Sequence, residues 1–193
     1  AIKEKLKDQK GLNSTLFNLG EAQIYNSNYD DALPNFRRAL SIANTLEDNY
    51  QMAWGYKGIG IIHFNLAVYD SAIYYLTKAD NIYLDIPVKR LISLSWLAIT
   101  AMKAGSKSQA KNYFESFNEL IEQHDPDNKD IISMNWNMYQ AHLLAGDKKS
   151  AKEYLENSYL ELKTRSKKIK NKTDRKQYLS VSLHQDISDA WDL

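Results

Sequence analysis

The stretch that decides the fold, residues 16–40, reads LFNLGEAQIYNSNYDDALPNFRRAL. Within it, Ala32 is followed four and seven positions later by Phe36 and Ala39. Residues at these spacings lie on one face of an α-helix. A second helical pattern precedes Ser27-Asn28, a pair typical of turns. The stretch therefore predicts two helices joined by a tight turn.

The same pattern returns three more times, at intervals of 40, 38 and 41 residues. A small residue stands at the first position of each copy, which lets a neighbouring helix approach closely: Ala32, Ala72, Ala110 and Ala151. Four residues after each alanine comes a large apolar side chain: Phe36, Leu76, Phe114 and Leu155. A repeat of this length predicts stacked helical hairpins that share one continuous core.

We predict eight helices, paired into four units. Their approximate spans are 8–26 and 29–46, 49–66 and 69–84, 88–104 and 107–123, and 129–145 and 148–166. Within the units, the predicted turns are Ser27-Asn28, Ala67-Val68, Gly105-Ser106 and Gly146-Asp147. Asn28, Ser106 and Asp147 are candidate N-caps, and Pro87 and Pro126 are expected in connectors. Pro34, near the start of a helix, predicts a slight kink.

This arrangement resembles the tetratricopeptide repeat, in which small and large residues alternate as they do in Leu16–Ala22, Tyr29–Ala32 and Phe36–Leu40. Ile59-Gly60, Tyr69–Ala72 and Leu76–Ala79 repeat the motif, whereas the third and fourth units are degenerate. The resemblance implies an all-α, right-handed α-solenoid of about four hairpins. We expect residues 1–193 to form a single array, with units at about 8–46, 49–84, 88–123 and 129–166.

The end of the chain is predicted to cap this array at about residues 173–191, since the last unit would otherwise expose an apolar face. Ser182 and Gln185 have the spacing of a capping box that would start a short final helix. The apolar side of the cap would be Tyr178, Leu179, Val181, Leu183, Ile187 and Trp191. The segment also resembles the tail of large bacterial signalling proteins in which such arrays follow ATPase, cyclase or kinase modules.

The resemblance implies a concave, partner-binding face formed by the first helix of each unit. The residues at these positions are Phe17, Asn18, Glu21 and Ile24; Trp54, Lys57, Ile61 and Phe64; Ser95, Trp96, Ile99 and Met102; and Ser133, Trp136, Asn137 and Gln140. Tryptophan is a frequent anchor at interfaces. The alternative, that these rings only fill space between helices, stays open at this point.

Some members of the family hold the C-terminal carboxylate of heat-shock chaperones with paired Lys and Asn side chains. Glu21 stands at the first-unit Asn position, and Ser95 and Trp96 stand where a basic residue is needed. Only Lys57 fits the pattern. The expected partner is therefore a more apolar or extended peptide, or another domain of the same parent chain.

Composition excludes several classes of protein. The chain has no cysteine, so it forms neither disulfides nor thiolate metal sites. No apolar run reaches the roughly 20 residues that span a bilayer. The N-terminus lacks both an initiating Met and the apolar core of a signal peptide. We therefore expect a piece of a longer protein without membrane insertion. The resemblance of the tail, together with the missing export signal, implies a cytoplasmic location.

No catalytic, cofactor or metal site is predicted. The sequence contains none of the motifs HExxH, GxSxG, GxGxxG or GxxxxGK[ST]. His63 and His142 occupy equivalent positions in units two and four and are expected to pack. His124 lies in a connector, and His184 lies in the cap. The predicted function is a non-enzymatic scaffold in bacterial signal transduction.

Two alternative functions remain. The first is a sensor module that changes conformation when it binds a signalling peptide. The second is nucleic-acid binding through Lys163–Lys176, which holds eight Lys or Arg and one acidic residue. That net +7, in a chain of total +1, leaves −6 for the remainder. A solvated helix end with a connector is the favoured explanation of the charge, and no aromatic residues interleave with it for base stacking.

Overall fold

The computed structural model describes residues 8–124 and 130–193, and these residues form α-helices and no strands. The helices are α1 Gln9–Tyr25, α2 Tyr29–Thr45, α3 Asn49–Asn65, α4 Tyr69–Ile82, α5 Pro87–Lys103, α6 Lys107–Gln123, α7 Ile131–Ala145, α8 Lys148–Lys168, α9 Lys172–Leu179 and α10 Ser182–Asp192. The fold is thus an all-α, tetratricopeptide-like helical repeat, as predicted. Pro126 and residue 129 lie outside the described residues.

The connections confirm the predicted turns. Ser27, Ala67, Gly105 and Gly146 all have positive φ, and so does Glu47 between α2 and α3. In each case the next residue donates its backbone N–H to the carbonyl five positions earlier, which closes the helix C-terminus. The helices therefore end where a left-handed residue reverses the chain.

The helix starts agree in part with prediction. Asp147 caps α8 by accepting from the Ser150 N–H at 3.1 Å. Asn28 and Ser106 occupy N-cap positions without a side-chain cap hydrogen bond. Pro87 is the first residue of α5 rather than part of a connector, a position where its missing N–H has no intrahelical partner to lose. Helix α2 runs on through Pro34.

The chain divides into two compact units, Ala1–Ser93 and Leu94–Leu193. In the first, α1, α2, α3 and α4 pack in sequence. Its core consists of Leu16, Phe17, Ala32, Phe36, Ala39, Ile59 and Ile62. Phe36 lies against two glycines: a Cβ on Gly20 would come within 2.6 Å of its ring, and one on Gly58 within 2.1 Å. Missing side chains on α1 and α3 thus create the space that this phenylalanine fills.

The second unit holds the end of α5 and helices α6 to α10. Its C-terminal core of Ile132, Leu155, Leu162 and Ile187 brings α7, α8 and α10 together. Around this core pack Trp136, Tyr139, Tyr159, Tyr178, Leu179, Leu183, Ala190 and Trp191. The predicted cap therefore covers the last hairpin.

The predicted capping box at Ser182 is wrong, and the cap consists of two helices rather than one short helix. Ser182 is already the first helical residue of α10, and Val181 occupies the N-cap in extended conformation. No side chain caps this helix; instead the His184 and Gln185 N–H groups both donate to the Val181 carbonyl. The chain leaves α9 through only Ser180 and Val181, so α10 begins one residue earlier than a capping box requires.

Candidate partner-binding faces

The first unit carries a polar and aromatic surface that we call the α1–α3 face: Asn18, Glu21, Trp54, Lys57 and Ile61. Asn18 and Glu21 are three residues apart, as are Trp54 and Lys57, and Ile61 follows four residues later. Each set therefore shares one side of its helix. All five side chains keep some exposure to solvent.

Glu21 lies at the centre of this face. The Trp54 indole N–H donates to its Oε1 at 2.7 Å, and the Lys57 Nζ lies 3.9 Å from the same oxygen. The Lys57 side chain is 14% exposed and that of Glu21 34%. Opposite charges this close largely cancel, so the face offers hydrogen-bonding groups without a strong net charge.

Phe17 holds the tryptophan from below. The rings of Phe17 and Trp54 stack with centroids 5.2 Å apart and an interplanar angle of 8°. Phe17 is fully buried, so it supports the face without being available to a partner. Trp54 both packs and remains partly accessible, so the two interpretations of this ring are compatible.

In the second unit, several predicted face residues are buried. Ser95 and Ile99 on α5 have no exposure, and Asn137 on α7 has 4%. The Asn137 amide donates to the Ser95 hydroxyl at 3.4 Å, so this polar pair links α5 to α7 inside the unit. Met102 is buried as well. These side chains position the helices and are not available to a ligand.

The remaining predicted residues of the second unit reach the surface in part. Trp96, Ser133, Trp136 and Gln140 are each partly exposed. Trp136 also packs against Tyr139, with ring centroids 5.0 Å apart, and against the C-terminal core. In the first unit, Ile24 packs against the core, and Phe64 lies against Tyr69.

The histidines pack against aromatic rings. His63 stacks parallel to Tyr75 with centroids 5.6 Å apart. His142 lies between Phe114, at 4.1 Å, and Tyr154, at 5.4 Å. Both rings fill space between helices, which agrees with the packing role expected from the sequence.

His142 also belongs to a polar contact that the sequence analysis missed. Its Nδ1 lies 3.2 Å from Oδ2 of Asp147, the residue that caps α8, while its Nε2 is buried without a hydrogen-bond partner. Burial lowers the pKa of His142, and the Asp147 carboxylate partly opposes this shift. The five-residue separation across a helix C-terminus is the one sequence signal that indicates this contact.

Residues 8–124 and 130–193 contain neither a candidate metal site nor a candidate membrane-spanning helix. No group of three or more His, Cys, Asp or Glu side chains is arranged to hold a metal ion. No helix in these ranges combines the length and apolar character that crossing a membrane requires. His124 Nδ1 lies 3.2 Å from the Leu120 carbonyl, and Asp125 and Asp127 beside it lie outside the described ranges.

Comparison with known families bears on the first unit. Residues 11–85 match the tetratricopeptide repeat model. This segment contains α1 to α4, and hence the whole α1–α3 face. Tetratricopeptide repeats mediate protein–protein interactions. The matched segment therefore resembles a tetratricopeptide repeat in both sequence and fold.

One relative is similar over part of its length. It is described as the uncharacterized protein ycf37 of Guillardia theta, and it is 34% identical over 79 residues. The similarity covers 41% of this chain and 44% of the relative. The chain thus aligns with less than half of that protein, and the likeness supports the repeat rather than a shared activity.

Proposed function

We propose that this chain is a non-enzymatic scaffold module that binds a protein or peptide partner through exposed residues of its first helices. The observation that carries this proposal is the α1–α3 face, which lies within the matched repeat segment and presents Trp54 beside Glu21 and Lys57. A partly exposed tryptophan fixed by a hydrogen bond is pre-organised, so a partner that contacts it spends little entropy on ordering the ring.

In this proposal, the binding residues are the accessible members of the predicted set: Asn18, Glu21, Trp54, Lys57, Ile61, Trp96, Trp136 and Gln140. The buried members Phe17, Ser95, Ile99 and Asn137 support them from below. The partner is an extended, largely apolar peptide or another domain of the parent chain. A chaperone-type carboxylate clamp is not expected, because the Lys57 ammonium already lies 3.9 Å from the Glu21 carboxylate, which would repel the carboxylate of a ligand.

The cellular setting is part of the proposal. The tail residues Tyr178, Leu179, His184 and Trp191, which resemble the end of bacterial signalling proteins, pack as one cluster on the last hairpin or on each other. The proposed role is in bacterial signal transduction, in the cytoplasm and without catalysis. The setting rests on the resemblance of that segment and not on the fold.

The test begins with peptides selected on the chain from a random displayed library. Their affinities are then measured by fluorescence anisotropy for Trp96→Ala, Ile61→Ala and the control Leu160→Ala. Leu160 is 53% exposed on α8, the second helix of the last predicted unit, and so lies outside the proposed binding residues. Loss of an anchoring tryptophan costs about 2 kcal/mol or more, or about thirtyfold in affinity. We expect Trp96→Ala to weaken binding by this factor with little change in melting temperature, and Leu160→Ala to bind as the parent does.

The opposite pattern counts against the proposal. If Trp96→Ala lowers the melting temperature strongly and leaves affinity intact, the ring has a packing role only. If Leu160→Ala weakens binding as much as Ile61→Ala does, the selected peptides bind elsewhere than the first helices.

A further inference from the structure

The end of the second unit carries a concentration of positive charge that the proposed function does not use. We call residues 163–176 the basic cap segment; it runs from the last turns of α8 into α9. Six lysines in it are exposed: Lys163, Lys167, Lys168, Lys170, Lys172 and Lys176. Like charges this dense repel one another, so they oppose folding unless something offsets them.

The two arginines of the segment are used within the fold. Arg165 donates from Nε to Glu161 Oε1 at 2.6 Å. Arg175 donates from Nε and Nη2 to the Ile169 carbonyl, at 3.0 and 2.6 Å. The Arg165 bond lies within α8, whereas the two Arg175 bonds fix the turn between α8 and α9 and hold the Arg175 guanidinium there.

The lysines are not explained in the same way. Lys167 and Lys168 stand in the last turn of α8, where positive charge complements the helix dipole. Lys172 begins α9, where a cation is unfavourable. The only carboxylate within the segment is Asp174. Interaction with the helix dipole therefore accounts for the lysines at the end of α8, but it does not account for the positive charge on α9.

A surface pocket lies in that region. It has a volume of about 500 Å³ and is lined by Lys172, Arg175, Lys176, Leu179, Ser180 and Gln185. Three cationic side chains surround an opening that also contains an apolar leucine, with a serine and a glutamine beside it. This combination suits a carboxylate next to an apolar side chain, since each kind of group finds a matching one.

We propose that the basic cap segment is a second interaction surface, which binds an acidic polypeptide segment carrying apolar residues. Charge complementarity selects the acidic partner, and Leu179 in the pocket selects an apolar side chain within it. The surface is separate from the α1–α3 face and uses different residues.

The same surroundings disfavour a nucleic acid. The nearby rings are occupied: Tyr159 stacks on Trp191 with centroids 4.8 Å apart, and Tyr178 packs on His184 at 4.4 Å. They offer no free platform for bases. Helix α10, which contributes Gln185 to the pocket, also exposes Asp186 and Asp189. These carboxylates repel a densely charged phosphate backbone more than they repel a short peptide.

The test uses a fluorescein-labelled peptide of four Glu-Glu-Leu repeats, and a second of four Glu-Glu-Ser repeats with the same charge. Binding to the full chain is followed by anisotropy at low salt. The variant Lys172→Gln/Lys176→Gln is compared with Lys148→Gln/Lys152→Gln, which removes the same charge from exposed positions at the start of α8. The control pair stands in the first turns of α8, whereas the basic cap segment begins in its last turns. The comparison therefore keeps the net charge the same and changes only the place from which charge is removed.

We expect the parent chain to bind the Glu-Glu-Leu peptide more tightly than the Glu-Glu-Ser peptide. Lys172→Gln/Lys176→Gln should weaken the Glu-Glu-Leu complex between about twofold and thirtyfold, the range expected for two exposed ion pairs. The control variant should change affinity by less than twofold. Neither variant should lower the melting temperature, because each removes the positive charge at the first residue of a helix.

Several results would overturn the proposal. Equal affinity for the two peptides removes the role of Leu179, and an equal effect of both variants removes the role of the pocket. Absence of binding at low salt removes the surface altogether. Tighter binding to a short DNA duplex, or to vesicles of phosphatidylserine and phosphatidylcholine, assigns the charge to a nucleic acid or a membrane surface instead.

Discussion

The substitution Gly58→Ala tests the packing on which the first unit depends. A Cβ on Gly58 would lie 2.1 Å from Cε1 of Phe36 and 2.5 Å from both Cδ1 and Cζ. Carbon atoms in contact are normally about 3.5–4.0 Å apart, so the ring must move by more than 1 Å. It has little room, because Gly20 lies against its other edge and the side chain is fully buried.

The magnitude follows from two opposing terms. Overpacking of this kind costs about 1–3 kcal/mol, and the severity of the contact places it at the upper end. Replacing Gly by Ala inside a helix returns about 1 kcal/mol. We therefore expect Gly58→Ala to lower the free energy of unfolding by about 2 kcal/mol.

Gly55→Ala provides a matched control on the same helix. Its Cβ would meet Leu40 and Phe17 at 3.2–3.3 Å, a distance that small shifts relieve. It gains the same helix propensity, so its unfolding free energy should stay within about 1 kcal/mol of the parent's. The difference between the two variants isolates the contact with Phe36.

The assay is urea unfolding followed by far-UV circular dichroism, with Phe36→Leu added to complete a double-mutant cycle. Phe36→Leu should cost less in the Gly58→Ala background than in the parent, because the smaller side chain relieves the overlap. If Gly58→Ala is as stable as Gly55→Ala, or if the two substitutions are additive, Phe36 does not occupy the space above Gly58 and the reasoning fails.

Three further predictions concern His142 between its two aromatic neighbours, the turn at Ala67 and the packing of the cap. Burial lowers the pKa of His142 below its usual 6.5, so the folded state favours the neutral ring. The contribution of this ring to the free energy of unfolding is present above about pH 6.5 and is lost as the pH falls. The loss is at most about 1.4 kcal/mol per pH unit. The urea midpoint of the parent should therefore drop more than that of His142→Phe between about pH 7 and pH 5; parallel profiles would contradict this. Ala67 has φ 58°, a conformation that glycine adopts without strain. Ala67→Gly should therefore raise the free energy of unfolding by about 0.5–1 kcal/mol, and the melting temperature with it. A lower melting temperature would show that the turn is not strained. Ile187→Ala should lower the free energy of unfolding by about 2–5 kcal/mol, because its side chain on α10 is fully buried against the last hairpin. In the same urea titration, the control Leu160→Ala should stay within about 0.5 kcal/mol of the parent. Equal losses in the two variants would mean that the cap does not depend on this contact.

The helices and turns could be predicted because their causes are local. The alanines that mark the repeat, Ala32, Ala72, Ala110 and Ala151, are all buried, and the predicted spans differ from the observed helices by no more than two residues in the described parts. Helical spacing places these residues on one face, and Gly105 and Gly146 supply the positive φ that ends a helix. Neither inference requires knowledge of a distant residue.

The site was harder to predict because its determinants lie on different helices. Sequence spacing gives no indication that Trp54 donates to Glu21, 33 residues earlier. Gly58 was not identified as a packing position, since only its contact with Phe36 on α2 gives it that role. The family register also assigned Ser95, Ile99 and Asn137 to the accessible face, whereas first helices packed on more than one side bury them. The family register predicts which side of its helix a residue occupies, but it does not predict whether neighbouring side chains cover that residue.

Helix α3 shows how packing and the proposed binding depend on each other. Its glycines at 55, 58 and 60 each cost about 1 kcal/mol of helix propensity, and they are compensated by the close approach of side chains from α2 and α4. Trp54 and Lys57 alternate with these glycines along the same helix. The close packing at the glycines therefore positions the helix that carries the residues proposed to contact a partner. A substitution that pushes α3 away from Phe36 must therefore also move Trp54 relative to Glu21. Gly58→Ala should weaken peptide binding as well as stability. Trp54→Phe keeps an aromatic ring against Phe17 but removes the five-membered ring of the indole and with it the N–H that Glu21 accepts. It should therefore alter binding with a smaller loss of stability than Gly58→Ala.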